Sequence, residues 1–315
     1  MDKNSKIYVA GHNGMLGSAI VRHLLEKGYG NLVLRSHKEC DLTNTASVNK
    51  LFESEKPETV ILAAARVGGI QANINHSAEF LYENLMIQSN VIHQSYIHGV
   101  KQFCFLGSSC IYPKECPQPI SEDYIMTGPL EPTNEGYALA KISGIKMVDL
   151  YRKQYGFPGI SLMPCNLYGT NDSFDPENSH VLSSLIKKIV DAVDENRKVI
   201  SVWGTGVARR EFMHVDDAAA GIIYFMQKEC PPTFCNLGWG IDISIKELVS
   251  KVAIHAQFLG DIEWDVTKPD GMLRKCMDVH RMNENGFHPK IDLDQGIKSM
   301  ILEYREKKNL RRLEK

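Results

Sequence analysis

Three side chains in the first half of the chain have the types and the spacing that ketone reduction requires. Tyr137 and Lys141 stand four residues apart, which places both on one face of a helix. A nearby ammonium favours phenolate and should lower the pKa of Tyr137, so that the phenol can give a proton to a ketone oxygen as hydride reaches the carbon. Ser108 can donate a hydrogen bond to the same oxygen. The trio predicts a dehydrogenase site, although a Tyr-x-x-x-Lys pair without the other features is better explained by an amphipathic helix with Tyr137 in the core and Lys141 outside.

A hydride donor needs a dinucleotide site, and the chain begins with the pattern for one. The apolar run Ile7–Ala10 leads into a turn made of Gly11, His12, Asn13, Gly14, Met15, Leu16 and Gly17. Helical spacing follows over residues 18–27. A helix N-terminus offers unpaired N–H groups, and glycines let a pyrophosphate approach the backbone closely. We therefore expect these seven residues to bind a dinucleotide.

The residues after the second predicted strand bear on which nicotinamide cofactor is used. Arg35 and Lys38 are basic, and no carboxylate occurs there before Glu39. Guanidinium and ammonium groups favour a ribose 2′-phosphate over a 2′-hydroxyl, which predicts NADP(H) rather than NAD(H). The alternative is that both cations are solvated surface charges.

The elements that position these groups follow the rhythm of βαβ units. Apolar runs at residues 31–35, 59–64, 102–107 and 159–166 alternate with helical spacing at residues 45–55, 78–98 and 136–155. This alternation predicts an α/β fold with a doubly wound parallel (Rossmann) sheet and a smaller mixed α/β lobe. We expect residues 1–168 to form the dinucleotide-binding domain. Residues 169–315 should form mainly a substrate-binding lobe, with some segments returning to the first domain.

Composition argues against several other classes of protein. The 315 residues include 36 Lys and Arg against 38 Asp and Glu, so nucleic acid and membrane surfaces are not expected partners. No apolar stretch approaches the roughly 20 residues of a membrane span, and the first six residues lack the apolar core of a secretory signal. The eight cysteines have neither Cys-x-x-Cys nor zinc-finger spacing. We expect a cytoplasmic chain with free thiols and no structural metal.

Eight segments spread over essentially the whole chain carry a resemblance to one family. They are AGHNGMLG (10–17), ARVGGI (65–70), LGSSCIYP (106–113), EPTN (131–134), NLYG (166–169), NSHV (178–181), REFMHVDD (210–217) and KPDG (268–271). Together they resemble the GDP-L-fucose synthase family of the extended short-chain dehydrogenase/reductases. The resemblance implies a homodimer that uses NADPH. It also implies conversion of GDP-4-keto-6-deoxy-D-mannose to GDP-L-fucose by epimerisation at C3 and C5 and then reduction at C4.

Two further residues acquire roles from that resemblance. A C4 ketone acidifies the C–H bonds at C3 and C5, because either carbanion delocalises onto the ketone oxygen, where Ser108 and Tyr137 can stabilise it. Inversion needs a base on one face of the sugar and an acid on the other, and the resemblance assigns these to Cys110 and His180. Taken singly, Cys110 could be a small buried hydrophobe and His180 a surface or helix-capping residue.

The resemblance also implies a set of binding residues. Beyond the glycine turn, the residues placed on the cofactor are Arg35, His37, Asp41, Leu42, Leu106, Gly107, Ser108, Lys141, Pro164, Asn166, Leu167 and His180. Those placed on the GDP-sugar are Lys188, Trp203, Arg210 and Asp270. The chain departs from the family at Asn13 and His37, where members often carry an arginine that grips the 2′-phosphate. This departure predicts a relaxed preference for NADPH over NADH.

Several other functions remain open at this point. A sugar 4,6-dehydratase would want an Asp-Glu pair just after the active-site hydroxyl, where this chain has Ser109, Cys110 and Ile111. A GDP-colitose synthase, or another enzyme acting on a nucleotide keto sugar, would use the same acid and base, and a 4-epimerase shares the fold. A non-catalytic dinucleotide sensor would keep the glycine turn without needing the reacting side chains.

Overall fold

A parallel sheet carries the first half of the chain and a smaller lobe follows it. The computed structural model describes residues 1–175, 179–268 and 270–313, so Asn178 and Pro269, which belong to two of the motifs above, lie outside the described residues. The strands are β1 (Ile7–Ala10), β2 (Leu32–Val33), β3 (Thr59–Leu62), β4 (Gln102–Leu106), β5 (Gly159–Pro164), β6 (Asn166–Tyr168), β7 (Val199–Trp203), β8 (Arg209–His214), β9 (Phe234–Leu237), β10 (Asp242–Ser244), β11 (Asp261–Asp265) and β12 (Arg274–Lys275).

Helices connect these strands on both faces of the sheet. They are α1 (Met15–Glu26), α2 (Thr45–Glu55), α3 (Ile70–Asn75), α4 (Ser77–Ile97), α5 (Glu135–Tyr155), α6 (Val181–Asp194), α7 (Val215–Gln227), α8 (Ile245–Ala256), α9 (His280–Glu284) and α10 (Leu293–Leu313). Short 3-10 turns cover Ser109–Ile111, Glu122–Tyr124 and Pro132–Asn134. Among the described residues, no helix is long and apolar enough to cross a membrane.

The main sheet has the strand order β2-β1-β3-β4-β5-β9, and every neighbouring pair is parallel. Every residue of β1, β3 and β5 is buried, as expected for strands covered by helices on both faces. The predicted doubly wound α/β fold is confirmed. The order reverses between β1 and β3, so the crevice beyond their carboxyl ends is the expected ligand site of such a sheet.

Close backbone contacts shape that crevice. Gly11 has φ +86°, and a Cβ there would lie 2.6 Å from the backbone N of Ala64. A Cβ on Gly17 would lie 2.0 Å from the carbonyl oxygen of Gly11. These two positions therefore require glycine, because a side chain at either would push the turn away from β3 or from α1.

Local boundaries differ from the sequence expectation in two places. The second strand covers only Leu32–Val33, because pairing to β1 at the sheet edge ends at Val33. The single strand predicted at residues 159–166 is two strands. β5 ends at Pro164, which has no N–H to continue a ladder, and β6 then pairs with β8 in the smaller lobe. An apolar run that continues through the crossing conceals the change of sheet.

The smaller lobe has its own buried core. β6, β10 and β12 each pair with β8, and β11 pairs with β7. Helices α6, α8 and α10 pack there through fully buried side chains such as Ile186, Val252 and Met300. The first core also contains α7 and β9 side chains, so chain beyond residue 168 contributes to both cores. The domain division at residue 168 stays a prediction.

Candidate active site

The turn after β4 places the first two candidate groups together. Ser108 precedes the 3-10 turn Ser109–Ile111, and its Oγ accepts a hydrogen bond from the backbone N–H of Cys110 at 3.3 Å. A serine in this position satisfies an N–H that the turn leaves unpaired. The turn therefore holds the Ser108 hydroxyl and the Cys110 side chain at the carboxyl edge of the sheet.

Helix α5 brings the remaining two members of the reducing trio to the same edge. Lys141 is 4% exposed, and its Nζ donates to the carbonyl oxygen of Leu106 at 2.8 Å. The same Nζ lies 5.8 Å from the centroid of the Tyr137 ring and 4.9 Å from that of Phe105. Because Leu106 is the last residue of β4, this bond fixes the start of α5 beside Ser108.

The electrostatics of the pair differ from the sequence expectation. Burial lowers the pKa of Lys141 from 10.5 to about 8. Burial also raises the pKa of Tyr137, the neighbouring Cys110 raises it further, and a hydrogen bond with the Ser108 side chain only partly opposes them. The predicted lowering of the Tyr137 pKa is therefore wrong in this structure, because desolvation of the phenol is the largest influence on that pKa. Tyr137 is held as a neutral phenol.

Cys110 has partners from both lobes. Its half-buried Sγ lies 3.4 Å from Asn134 Nδ2 at the start of α5 and 3.7 Å from Lys275 Nζ on β12. Both are donors to sulfur. The thiol is therefore not a simple apolar side chain in the core, which was the alternative left open by the sequence.

His180 stands apart from that group in the structure. It is exposed and has extended backbone at the position preceding α6, with no side-chain hydrogen bond that caps the helix. Among the described residues, no hydrogen bond joins it to Ser108, Cys110 or Tyr137. Its electrostatic neighbour is the buried Asp172. Burial raises the pKa of Asp172, while a hydrogen bond from Ser183 and the proximity of His180 oppose that rise.

The dinucleotide crevice fits the diphosphate of a nicotinamide cofactor. Helix α1 begins after Gly14, which has no side chain to cap the helix, so its first N–H groups face the turn. His12 Nδ1 is buried and has no hydrogen-bond partner among the described residues. A buried ring nitrogen without a partner is costly unless a ligand satisfies it. Phosphate oxygens over the turn would satisfy both His12 and the helix N–H groups.

Arg35 and Asp41, which were predicted to lie around the adenosine ribose, already have partners within the protein. Arg35 forms an ion pair with Glu55 and donates to the carbonyl oxygen of Leu34 at 3.1 Å. His37 is 81% exposed and lies 3.8 Å from Asp41. Asp41 accepts hydrogen bonds from Thr43, which lower the pKa of the carboxyl. Leu42 is buried. The guanidinium of Arg35 is therefore not a free cation in this structure.

The other predicted cofactor residues gather at the same edge. Leu106 ends β4 and Gly107 follows it, Pro164 ends β5, and Asn166 and Leu167 begin β6. Since the strands are parallel, their carboxyl ends meet beside the glycine turn. Asn166 is fixed by a 2.8 Å hydrogen bond from its Nδ2 to the carbonyl oxygen of Glu211.

Three of the four predicted substrate residues form one group in the smaller lobe. Arg210 Nη2 donates to the carbonyl oxygen of Asp270 at 3.3 Å, and the Asp270 carboxylate accepts from Thr205 N and Oγ1 at 2.7 and 2.6 Å. Trp203, at the end of β7, is 68% exposed. Lys188 lies on α6 and donates to the carbonyl oxygen of Ser201 at 2.7 Å. The Asp270 carboxylate holds the turn at residues 204–206, so a substrate hydroxyl would have to share it.

Sequence reasoning gave no role to two residues that touch the sulfur of Cys110. Asn134 belongs to the EPTN motif, but nothing in that motif indicates that its side chain contacts the sulfur of Cys110. Lys275 lies 165 positions away from Cys110, so no local pattern could have found it. Among the described residues, no group of three or more His, Cys, Asp or Glu side chains is arranged to hold a metal ion.

The chain matches a known family over most of its length. A family model described as "NAD dependent epimerase/dehydratase family" matches residues 7–238. The chain is 51% identical to GDP-L-fucose synthase 1 of Arabidopsis thaliana, over 94% of this chain and 92% of that protein. It is 44% identical to the GDP-L-fucose synthase of Escherichia coli K12, over 93% and 94%. It is 39% identical to the GDP-L-colitose synthase of Yersinia pseudotuberculosis, over 96% and 99%.

Solved structures with NADP bound also match almost the whole chain. A GDP-L-fucose synthetase from Naegleria fowleri bound to NADP matches with a TM-score of 0.88 at 27% identity, covering 98% of this chain and 95% of that one. MlghC, a GDP-mannoheptose C4 reductase from Campylobacter jejuni with NADP bound, matches with a TM-score of 0.89 at 38% identity, covering 97% and 99%.

Replacing Lys141 with methionine should stabilise the fold while removing reduction. The folded pKa of Lys141, about 8, is below its ordinary 10.5, so at pH 7 both states are protonated and the cost of burying the charge is fully present. After allowing for the lost bond to Leu106, we expect the cofactor-free variant to be about 2 kcal/mol more stable at pH 7. The gap should shrink from pH 8 to 10.5, as the folded wild type releases its proton first.

Urea unfolding at several pH values measures this gap, and Lys146→Met, an exposed lysine on the same helix, is the matched control. Ketone reduction should fall on the order of 10²–10⁴-fold in Lys141→Met only. Equal stability of wild type and Lys141→Met across the pH range would contradict the burial argument.

Proposed function

The chain belongs to the NAD dependent epimerase/dehydratase family and, within it, to the GDP-L-fucose synthases, and we propose that one site around Ser108, Cys110 and Tyr137 performs all its steps. The reaction converts GDP-4-keto-6-deoxy-D-mannose to GDP-L-fucose with NADP(H). The observation that carries the proposal is the Ser108 turn, which sets a hydroxyl and a thiol two residues apart beside the half-buried Tyr137.

Epimerisation needs proton transfer on both faces of the sugar. Cys110 removes the proton from C3 or C5, the C–H electron pair moves toward the C4 oxygen, and an enolate forms. Ser108 and Tyr137 donate hydrogen bonds to that oxygen. His180 returns a proton to the carbon from the opposite face. His180 is exposed and lies next to the buried carboxyl of Asp172.

Reduction uses the same oxygen. NADPH, when bound, supplies the hydride to C4. Tyr137 gives its proton to the oxygen, and the raised pKa of the phenol keeps that proton in place until charge develops on the oxygen. Lys141 holds the start of α5 against Leu106, so the phenol stays aimed at the reacting centre.

The nucleotide portion of the substrate suits the group in the smaller lobe. Arg210 and Lys188 offer cations for the diphosphate. Trp203 exposes a flat ring with Lys268 Nζ 5.5 Å from its centroid, and a purine base can stack on such a surface. Asp270 acts chiefly by holding the turn that carries Gly204 and Thr205, since its carboxylate oxygens already bind that turn.

The glycine turn can bind the pyrophosphate of NADP(H), whereas the residues near the ribose bind its 2′-phosphate only weakly. His12 and the first turn of α1 meet the pyrophosphate. Near the ribose, Arg35 must give up part of its pairing with Glu55 before it can grip a phosphate. We therefore expect measurable turnover with NADH as well.

We propose that two copies associate through the exposed faces of α4 and α5. Tyr82 and Ile97 on α4 are 63% and 55% exposed, and Leu150 on α5 is 58% exposed. The two helices adjoin, since His93 Nδ1 lies 2.9 Å from the Tyr151 hydroxyl. Large apolar side chains on two neighbouring helices are typical of an interface between copies of a chain.

The cytoplasm is the proposed site of the reaction. The eight cysteines are free thiols in the structure. Free thiols persist where the cell is reducing, and Cys110 must be a thiol or thiolate to exchange protons.

Purified protein given GDP-4-keto-6-deoxy-D-mannose should oxidise NADPH and form GDP-L-fucose, identified by its retention and mass. NADH should support the reaction at a higher KM. Turnover of another nucleotide keto sugar with none of this one would reject the substrate assignment and leave the family and fold in place. Binding of NADPH without any turnover would favour a sensor.

Cys110→Ser should separate the two halves of the reaction. A serine hydroxyl is a far weaker base than a thiolate, so proton exchange at C3 and C5 should fall on the order of 10²-fold or more. Ketone reduction should be affected less in Cys110→Ser. Tyr137→Phe should instead abolish reduction and affect proton exchange less. Deuterium uptake from heavy water, followed by mass spectrometry, reports the first step, and NADPH absorbance reports the second. Equal loss of both steps in Cys110→Ser would reject this division of roles.

Light scattering on the purified chain should give a mass near twice 35.4 kDa. Leu150→Glu should shift the protein toward a single chain, because a carboxylate on the α5 face would be desolvated in the interface. Ile254→Glu on α8, also at a strongly exposed apolar residue, is the control and should leave the dimer intact. A monomeric wild type would overturn the proposed association.

A further inference from the structure

Lys275 reaches Cys110 from the other lobe. Its Nζ lies 3.7 Å from Cys110 Sγ, although 165 residues separate the two in sequence. Cys110 follows the strand β4 of the main sheet, whereas Lys275 ends β12 and pairs with Arg210 of β8. The sulfur and the ammonium therefore meet where the two lobes adjoin, at the site proposed for the sugar.

The charge of Lys275 has no other evident counterpart. Lys275 is half-buried, and no carboxylate among the described residues forms an ion pair with it. A partly desolvated ammonium is costly without an anion beside it. Among the described residues, the sulfur of Cys110 lies within reach of this ammonium and can become an anion in the proposed reaction. The half-buried Cys116 is a second electrostatic neighbour, because Lys275 lowers the pKa of its thiol while burial raises it.

Asn134 supplies a second donor to the same sulfur. Asparagine before a helix normally accepts a hydrogen bond from the first turn, but the Asn134 side chain makes no such cap on α5. Its Nδ2 lies 3.4 Å from Cys110 Sγ instead. Its Oδ1 is buried without a partner among the described residues. Two donors, one of them a cation, suit an anionic sulfur better than a neutral thiol.

Backbone hydrogen bonds fix the position of the lysine. Cys276 N donates to Gln118 Oε1 at 3.0 Å, Met277 N donates to Glu211 Oε2 at 2.9 Å, and Ile120 N donates to the carbonyl oxygen of Cys276 at 2.8 Å. The residues directly after Lys275 are thus tied to both lobes. The ammonium is held over the sulfur by the fold and not only by its own flexible side chain.

We propose that Lys275 is a positioning residue that holds Cys110 in its thiolate form for the epimerisation steps, with Asn134 orienting the sulfur. The proposal rests on the proposed role of Cys110 as the base. The thiolate accepts the proton from C3 or C5 and becomes a thiol, and the C–H electron pair moves to the C4 oxygen. When the thiol later releases that proton to water, the charge on Lys275 again favours the anion.

The test measures the sulfur directly, before any substrate is added. Iodoacetamide reacts with thiolate and hardly with thiol, so the alkylation rate of Cys110 at fixed neutral pH reports the charged fraction. The exposed Cys230 in the same full-length protein is the internal reference, and peptide mass spectrometry gives both rates. Lys275→Met should slow Cys110 alkylation relative to Cys230 by roughly tenfold, and Lys275→Arg should restore most of it.

The controls separate charge from folding. The thermal unfolding midpoint is recorded for each variant. If Lys275→Met does not fold, the ratio of the Cys110 and Cys230 alkylation rates is measured in Lys275→Gln instead. An unchanged Cys110 to Cys230 ratio in a folded Lys275→Met or Lys275→Gln protein would overturn the proposal. A raised KM with that ratio unchanged would overturn it too, because Lys275 would then act on the substrate. If Cys110→Ser retains exchange at C3 and C5, the role of Cys110 fails, while the alkylation ratio still tests the effect of Lys275.

Discussion

The bond between the Lys141 ammonium and the carbonyl oxygen of Leu106 is the contact on which the arrangement of the site depends. It joins a buried cation on α5 to the last residue of β4 at 2.8 Å. Leu106 stands two residues before Ser108, and Tyr137 lies one helical turn before Lys141. One bond therefore sets the distance between the hydroxyl that follows the strand and the phenol on the helix. The chain accepts a buried charge at this point, and burial lowers its pKa to about 8.

The two lobes contribute different halves of the chemistry. The main sheet supplies the glycine turn, Ser108, Cys110 and the helix that bears Tyr137. The smaller lobe supplies Lys275 and the cations for the nucleotide. A strand that leaves the main sheet after Pro164 and pairs with β8 ties the lobes together directly beneath the site. Because the sulfur of Cys110 has neighbours from both lobes, β12 and the start of α5 both contribute to the surroundings of the proposed base.

Local patterns predicted what local forces determine. The strand, glycine turn and helix at Ile7–Glu26 and the helix that carries Tyr137 were predictable, because their spacing is set within a few residues. The crossing from β5 to β6 was missed, since the apolar run gives no sign of a change of partner. Lys275 was missed because tertiary packing alone brings it to Cys110. The direction of the Tyr137 pKa was predicted wrongly, because sequence shows a neighbouring cation but not the depth of burial. The roles of the individual site residues stay predictions.

Opposite electrostatic demands meet within a few ångströms in this site. In the proposed reaction the C4 oxygen needs donors that keep their protons until negative charge develops, and the raised pKa of Tyr137 suits that role. The proposed base, Cys110, must instead be an anion at neutral pH. Its sulfur is half-buried, so water alone does not stabilise that charge. Burial serves the first group and opposes the second. A cation beside Tyr137 would favour phenolate, so that the group could lose its proton before charge develops on the oxygen, whereas a cation beside Cys110 favours the thiolate that is the proposed base. The structure places the Lys141 ammonium on a backbone carbonyl and the Lys275 ammonium 3.7 Å from the sulfur, and this arrangement supports the roles proposed for Tyr137 and Cys110.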